Sequence, residues 1–141
     1  MQRHKLYLGL GSNLGNRKEL MTKAIEEIGK RIGAVVRQSS FYVTEPWGFQ
    51  SDNAFLNACI YVETSLSPYA VLELTQAIER ELGRVRKSKA GMYSDRPIDI
   101  DILLYDDLKM ATPNLIIPHP LMAERDFVMK PLKEILEAMK P

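Results

Sequence analysis

The amino-acid sequence predicts an α+β sandwich in which an antiparallel sheet carries its helices on one face. Two observations predict this fold class. The first is a set of runs rich in β-branched and aromatic residues, which are typical of strands. The second is a pair of amphipathic segments between these runs, which have helical period and end at glycine. The chain has 141 residues, which is enough for one domain with a real core. We therefore expect a single domain over residues 1–141.

The first part of the chain predicts a strand, a helix and a second strand. Residues 5–11 form a largely apolar run that is typical of a strand, and a tight turn is expected at its end, over residues 11–13. Asn16 and Glu19 have the spacing of an N-cap and the third helical residue, so a helix is predicted from there to Gly33. Residues 34–44 alternate loosely, which predicts one continuous strand.

The next elements repeat this order. Residues 54–64 predict a third strand, with Leu56 and its alternate neighbours on one face and Asn57 and its alternate neighbours on the other. Ser67 followed by a proline is an N-cap signal, and the second helix is predicted to end at Gly83.

A fourth strand and short C-terminal additions complete the chain. Residues 98–105 alternate with a period of two, which predicts the fourth strand. An extended piece at residues 114–117 and a last short helix opened by Pro131 follow. The order βαββαβ predicts a ferredoxin-like sandwich, and the helix-free face of its sheet, or its rim, is left for ligands.

Asp99 and Asp101 lie in the fourth predicted strand and share one of its faces. Their Cα atoms would be about 6.6 to 6.8 Å apart, so the two carboxylates could reach a common cation. Such a pair suits Mg²⁺, which takes one or two carboxylates together with waters and substrate phosphates. Leu103 and Tyr105 would continue the face as apolar residues, which places the acids at the edge of a buried region. The spacing alone favours a solvated strand end equally, because D-x-D is common.

A basic segment precedes the two acids. Residues 84–96 carry a net charge of +4, and residues 97–107 carry −4. Basic side chains beside carboxylates that can bind cations are typical of a site for metal-bound polyphosphate. The basic residues of the segment are Arg84, Arg86, Lys87, Lys89 and Arg96.

Other candidate residues have two interpretations each. Asn57 is an amide on a face of aromatics and a thiol, so it could pair with a heterocycle, although a backbone-capping role fits the pattern better. Trp47 and Phe49, in a loop held by proline and glycine, could cover a ligand or pack on the core. Gln76 and Glu79 are three apart on the second helix, a spacing typical of a solvated face.

Composition excludes several classes of function. The net charge of +1 gives no global attraction to nucleic acid or membrane. Cys59 is the single cysteine, which excludes an intrachain disulfide and a cysteine-rich zinc site. The glycines of GLGSNLGN match neither phosphate-binding fingerprint. With no signal-peptide pattern and no long apolar stretch, a cytoplasmic enzyme or binding domain is expected.

Six segments, taken in order, resemble one enzyme family. They are LGSNLGN, SSFYVTEPWG, FLNACIYVET, GRVRK, RPIDIDILLY and IIPHP. This order resembles the 6-hydroxymethyl-7,8-dihydropterin pyrophosphokinases of folate biosynthesis, over nearly the whole chain. The resemblance implies an ATP-dependent diphosphotransferase that moves a diphosphate from ATP to the pterin hydroxymethyl group and releases AMP. It also implies Mg²⁺ as cofactor, ATP and the pterin as the small-molecule partners, no nucleic-acid or membrane partner, and a monomer.

The resemblance also implies roles for individual residues. Asp99 and Asp101 would bind two Mg²⁺ ions that bridge the ATP phosphates, and Arg84 and Arg96 would be the catalytic arginines. The implied pterin-binding residues are Thr44, Pro46, Trp47, Gly48, Phe55, Asn57 and Phe127. The implied ATP-binding residues are Gln76, Glu79, Arg86, Ile102, His119 and Arg125.

The chain departs from the family pattern in ways that bear on ATP affinity. The loop SKAGMYSD is longer and lacks a tryptophan, and Met92 or Tyr93 could take that place. Asn114, Ile116 and Pro120 stand where an arginine, a threonine and a tyrosine are expected.

Two functions of other classes also fit the residues. A ferredoxin-like RNA-binding module would use sheet aromatics, but its aromatic signature is absent. A metal-dependent nucleotidyl- or glycosyltransferase would use the D-x-D pair, and product analysis separates it from a pyrophosphokinase.

Overall fold

The computed structural model describes residues 3–13, 16–44, 54–83, 98–120 and 122–140. Its main sheet is antiparallel, with β1 and β4 central and strand order β2-β4-β1-β5, and β3 also pairs with β4. The strands of this sheet are β1 (His4–Ser12), β2 (Ala34–Gln38), β3 (Tyr42–Thr44), β4 (Phe55–Thr64) and β5 (Asp99–Tyr105). The helices are α1 (Arg17–Arg31), α2 (Pro68–Glu81) and α3 (Asp126–Ala138). A small hairpin of β6 (Met110–Ala111) and β7 (Ile116–Ile117) and a 3₁₀ turn (Met122–Glu124) complete the described chain.

Local signals place the first two helices correctly. The Asn16 side chain accepts a hydrogen bond from the Glu19 N–H at 3.2 Å, and the Ser67 hydroxyl accepts from the Ala70 N–H at 3.2 Å. Both predicted N-caps are therefore confirmed. After α1 the chain turns at Gly33, where a Cβ would lie 2.1 Å from the Glu63 carbonyl oxygen, so only glycine fits.

The helices lie on both faces of the sheet. α1 and α2 cover one face, which we call the helix face, through a core that includes Met21, Ile28, Val71 and Ile78. α3 packs on the opposite face, so the prediction that helices cover one face only is wrong for this C-terminal addition. On that face the strands present a second set of apolar side chains, which α3 buries. This second core consists of Tyr7, Cys59, Tyr61, Leu103, Val128, Leu132 and Ile135.

The strand predicted over residues 34–44 is interrupted. Ser39 lies at the break and makes two hydrogen bonds to Cys59 of β4. Its backbone N–H donates to the Cys59 carbonyl at 2.9 Å, and its hydroxyl accepts from the Cys59 backbone N–H at 2.9 Å. A side-chain oxygen thus takes the place of a backbone acceptor in the ladder. β2 and β3 consequently pair with β4 as two separate strands.

Two other boundaries differ from the predictions. β1 continues through Ser12, where a tight turn was expected. α3 begins at Asp126, so Pro131 is its sixth residue rather than its first. Proline there removes one helical N–H, but the buried Val128 and Leu132 before and after it anchor both parts of the helix.

A bulge in β5 changes which residues share a face. Leu8 pairs with Ile102 while Tyr7 pairs with Leu104, so one residue of β5 is inserted at this point. Leu103 stays on the face of Asp99 and Asp101, as predicted. Tyr105 lies instead in the core of the helix face, where its hydroxyl donates to the Leu66 carbonyl at 2.8 Å.

Within the described ranges, no helix is both long enough and apolar enough to cross a membrane.

Candidate active site

One transverse row of the sheet collects the polar residues of the face that α3 partly covers. Tyr42 of β3 pairs with Asn57 of β4, Asn57 pairs with Gly11 of β1, and Gly11 pairs with Asp99 of β5. We call these four residues the site row. Because neighbouring strands are about 4.8 Å apart, the amide-bearing and acid-bearing strands are separated by roughly 10 Å.

Glycines form the floor between the amide and the acids. Gly9 lies opposite Asp101 in the adjacent row, and Gly11 lies in the site row. A Cβ on Gly11 would be 3.1 Å from Asn57 Oδ1, and one on Gly9 would be 3.3 Å from Leu103 Cδ1. The Leu103 and Asn57 side chains therefore pack closely over the bare backbone of β1, and a side chain at either glycine would displace them. Glycines two apart inside a predicted strand are a signal of close approach that the sequence offered.

Asp99 and Asp101 are half-buried on the same face of β5, as their spacing predicts. The residue between them is held by α2, because the Glu79 carboxylate accepts a hydrogen bond from the Ile100 N–H at 2.7 Å. Glu79 is 8% exposed, so the prediction of a solvated helix face is wrong for it, whereas Gln76 is exposed. The hydrogen bond from Ile100 to Glu79 of α2 therefore fixes the backbone between the two acids.

The two carboxylates fit a magnesium site that is completed by substrate. Within the described part of the chain, no group of three or more His, Cys, Asp and Glu side chains could hold a metal ion. Mg²⁺ does not need such a group, because it binds through one or two carboxylates together with waters and phosphate oxygens. The donor set of Asp99 and Asp101 matches this preference.

His119 lies near one of the two acids, Asp99, and near Arg125. The backbone N–H of His119 donates to the backbone carbonyl of Leu103 at 3.1 Å, which holds His119 beside β5. Burial lowers the pKa of His119, as does the charge of Arg125, while the charge of Asp99 acts in the opposite direction. His119 is therefore close enough to Asp99 and to Arg125 to interact with each of them, and its imidazole is mainly neutral at pH 7.

Phe55 lies beside the site row, and a second aromatic residue, Phe127, lies at the start of α3 on the same face of the sheet. The Cδ1 atom of Phe55 lies 3.5 Å from the position that a Cβ on Gly11 would occupy. Phe127, in the first turn of α3, is half-buried against the second core, and the Arg125 guanidinium lies 5.6 Å from its ring centroid. Thr44 pairs with Phe55, next to the site row.

Four further positions that the sequence singles out lie within the described residues. The Ile102 side chain is buried in the core of the helix face, so only its backbone could reach a ligand at the edge of β5. Asn114, Ile116 and Pro120 are exposed. The other predicted or possible site positions lie outside the described residues: Pro46, Trp47, Gly48, Phe49, Arg84, Arg86, Met92, Tyr93 and Arg96.

The fold and the site row define the protein as an α+β domain with paired carboxylates and a recessed amide on one sheet face. Residues 7–137 match the sequence profile of the 7,8-dihydro-6-hydroxymethylpterin-pyrophosphokinases. The chain belongs to this family, whose members are ATP-dependent diphosphotransferases of folate biosynthesis.

Two relatives agree with this assignment. The 2-amino-4-hydroxy-6-hydroxymethyldihydropteridine pyrophosphokinase of Porphyromonas gingivalis is 50% identical over 137 residues, covering 96% of this chain and 93% of that protein. The enzyme of the same name from Bacillus subtilis is 42% identical over 135 residues, covering 95% and 79%.

A crystal structure of Plasmodium falciparum HPPK-DHPS with pteroate has a TM-score of 0.74 at 15% identity, covering 94% of this chain and 39% of that chain. This chain spans about two fifths of the length of such structures. At that identity the likeness shows the fold alone.

Proposed function

We propose that this protein transfers a diphosphate from ATP to the hydroxymethyl oxygen of 6-hydroxymethyl-7,8-dihydropterin and releases AMP. The observation that carries the proposal is the site row, in which Asn57 and Asp99 lie on either side of Gly11 on one face of the sheet. A separation of roughly 10 Å between their strands suits a flat heterocycle at one end and phosphates at the other. Family membership supplies the identity of the two substrates.

The amide end of the row would bind the pterin. Asn57 offers donors and an acceptor to the heterocycle edge, and it is only 4% exposed, so competing water is scarce. Phe127 would stack on the ring, and Phe55 would line the pocket. Four positions of the preceding strand and loop would complete it: Thr44, Pro46, Trp47 and Gly48.

The acidic end would bind the triphosphate. Asp99 and Asp101 would hold two Mg²⁺ ions, which, when bound, neutralise phosphate charge and orient the β-phosphate. His119, largely neutral, can hydrogen-bond phosphate without adding charge, while Arg125 adds a cation. The other proposed nucleotide contacts are Gln76, Glu79, Arg86 and the backbone of Ile102.

The reaction is a displacement at phosphorus. The hydroxymethyl oxygen attacks the β-phosphorus and gives up its proton, and the bond from that phosphorus to the bridging oxygen of the α-phosphate breaks, so AMP and a proton leave. Such transfers depend mainly on positioning and charge stabilisation. Arg84 and Arg96 would stabilise the charge that develops on the transferred group.

We extend the proposal to the finer features of the molecule. The central position of β1 and β4 between β2 and β5 supports a ferredoxin-like topology. A single domain over residues 1–141, a monomeric state and a cytoplasmic location remain predictions.

Product analysis tests the function directly. The purified protein is incubated with ATP, Mg²⁺ and the dihydropterin, and the products are separated by chromatography. We expect AMP and the pterin diphosphate in equal amounts. Pyrophosphate or a nucleoside diphosphate would indicate a transferase of another class, and the absence of any product would indicate a binding module.

A further inference from the structure

One carboxylate joins α3 to the break between β2 and β3. Glu134 of α3 accepts from the Tyr42 hydroxyl at 2.5 Å through Oε1. Its Oε2 accepts from the Ser40 N–H at 2.8 Å and from the Ser40 hydroxyl at 3.2 Å. Hydrogen bonds to an ionised acceptor are about twice as strong as neutral ones, so this is a specific connection between distant parts of the chain.

The strand break provides the donors for this connection. Ser39 is held on β4 by its two hydrogen bonds to Cys59, and the next residue, Ser40, is exposed. The N–H groups of successive extended residues point to opposite sides, so with the Ser39 N–H bound to β4 the Ser40 N–H points away from β4. Glu134 accepts this N–H, which has no strand partner among the described residues at the edge of the sheet.

Both ends of the connection lie on elements that carry residues of the proposed pterin pocket. Tyr42 is the β3 member of the site row and pairs with Asn57. On α3, Phe127 precedes Glu134 by seven residues, which is about two helical turns, so both lie on the same side of the helix. The carboxylate therefore links the strand that pairs with the amide to the helix that carries the ring.

We propose that Glu134 is a positioning residue for the pterin: through Tyr42 and Ser40 it sets the spacing between β4, with Asn57, and α3, with Phe127. This inference rests on the proposed function. Glu134 is attached to β3, three strands along the site row from Asp99. Its loss should consequently weaken pterin binding and leave the nucleotide end unchanged.

The test compares near-isosteric variants with matched controls. Glu134→Gln keeps the shape of the side chain but removes its charge and one acceptor, and Tyr42→Phe removes the hydroxyl alone. Glu137→Gln is the control on the same helix, since Glu137 is exposed and contacts only the nearby Lys140 in the described structure. Ser67→Ala removes the N-cap of α2 and serves as a control for general loss of stability.

Calorimetry then measures the pterin and a non-hydrolysable ATP analogue with Mg²⁺ on each variant. We expect Glu134→Gln and Tyr42→Phe each to raise the pterin Kd about tenfold, and the double variant to show little further loss. The Kd of the ATP analogue should change less than about twofold, and kcat at saturating pterin should be retained. Glu137→Gln should match the parent protein.

Two results would overturn the inference. One is an unchanged pterin Kd in Glu134→Gln when the parent protein is active. The other is a parallel rise of both Kd values, in the same ratio as in Ser67→Ala, which would reduce Glu134 to a general stabilising role. A parent protein that binds no pterin and produces no AMP would instead overturn the proposed function, and the inference with it.

Discussion

The Glu79 carboxylate accepts a hydrogen bond from the backbone N–H of Ile100, the residue between the two acids of the candidate magnesium site. α2 therefore contacts the acidic segment of β5 through a buried side chain. The sheet supplies the alternation that puts Asp99 and Asp101 on one face, and the helix fixes the backbone between them.

Removing this acceptor should loosen the acidic segment. Glu79→Ala leaves the Ile100 N–H without its carboxylate partner, and we expect the free energy of unfolding to fall by about 1 to 3 kcal/mol. The Mg²⁺ concentration for half-maximal turnover should rise in the same variant. Denaturant unfolding and a Mg²⁺ titration measure the two effects. Glu73→Ala, an exposed acid on the same helix, is the control, and an equal Mg²⁺ shift there would contradict the prediction.

Asp101→Ala should abolish most Mg²⁺-dependent turnover, because it removes a proposed metal ligand. It should leave the fold intact, because a half-buried acid opposite Gly9 is replaced at little steric cost. Circular dichroism checks the fold, and turnover is measured over a range of Mg²⁺ concentrations. Asp107→Ala removes an exposed acid just beyond β5 and should have no effect. Near-normal turnover of Asp101→Ala at limiting Mg²⁺ would exclude this residue as a ligand.

A single methyl group on the site floor should disturb the pterin end. The Cβ of Gly11→Ala would lie 3.1 Å from Asn57 Oδ1, so the amide must shift, and we expect the pterin Kd to rise about tenfold. Gly29→Ala is the matched control: its Cβ would meet only Val35 Cγ2 at 3.8 Å, inside α1, where alanine is favoured over glycine. Equal pterin affinities for the two variants would argue against an amide that contacts the pterin.

The Glu134 connection should make stability depend on pH in acid. The Tyr42 hydroxyl, opposed by burial and aided by Ser40, holds the pKa of Glu134 below its usual value. A carboxyl group with a lowered pKa in the folded state contributes its stability fully above its unfolded pKa, about 4.3. That contribution is lost as the pH falls through the lower, folded pKa.

The difference in unfolding free energy between the parent protein and Glu134→Gln should therefore be constant above about pH 5 and shrink below it. Asp106, whose pKa is lowered chiefly by the Lys5 N–H, is present in both proteins and cancels in the difference. Urea unfolding at a series of pH values measures it. A difference that stays the same down to pH about 3 would show that the carboxyl charge contributes nothing.

The features that the sequence predicted well depend on neighbouring residues. The N-caps at Asn16 and Ser67 involve donors three residues away, and the alternation of β4 is a local period of two. Both features can therefore be predicted without knowledge of the fold. The sharing of a face by Asp99 and Asp101 follows from the same period.

The features that the sequence did not reveal depend on distant partners. Glu79 and Ile100 are 21 positions apart in the sequence, and Glu134 and Tyr42 are 92 positions apart. No spacing rule predicts either contact. The bulge that moves Tyr105 to the helix face is set by pairing with β1 and leaves no local pattern. Ser39 interrupts a strand because of a bond to Cys59, which is likewise a property of the assembled sheet.

The position of Cys59 beneath α3 gives the protein an internal reporter. This single thiol is 1% exposed, and burial raises its pKa to about 12, so in the folded state it should react very slowly with alkylating reagents. It shares its core with Val128 and Leu132, and α3 must separate from the sheet before a reagent can reach it. The rate of thiol labelling therefore measures how often this helix detaches, and pterin bound between α3 and β4 should slow it without any engineered probe.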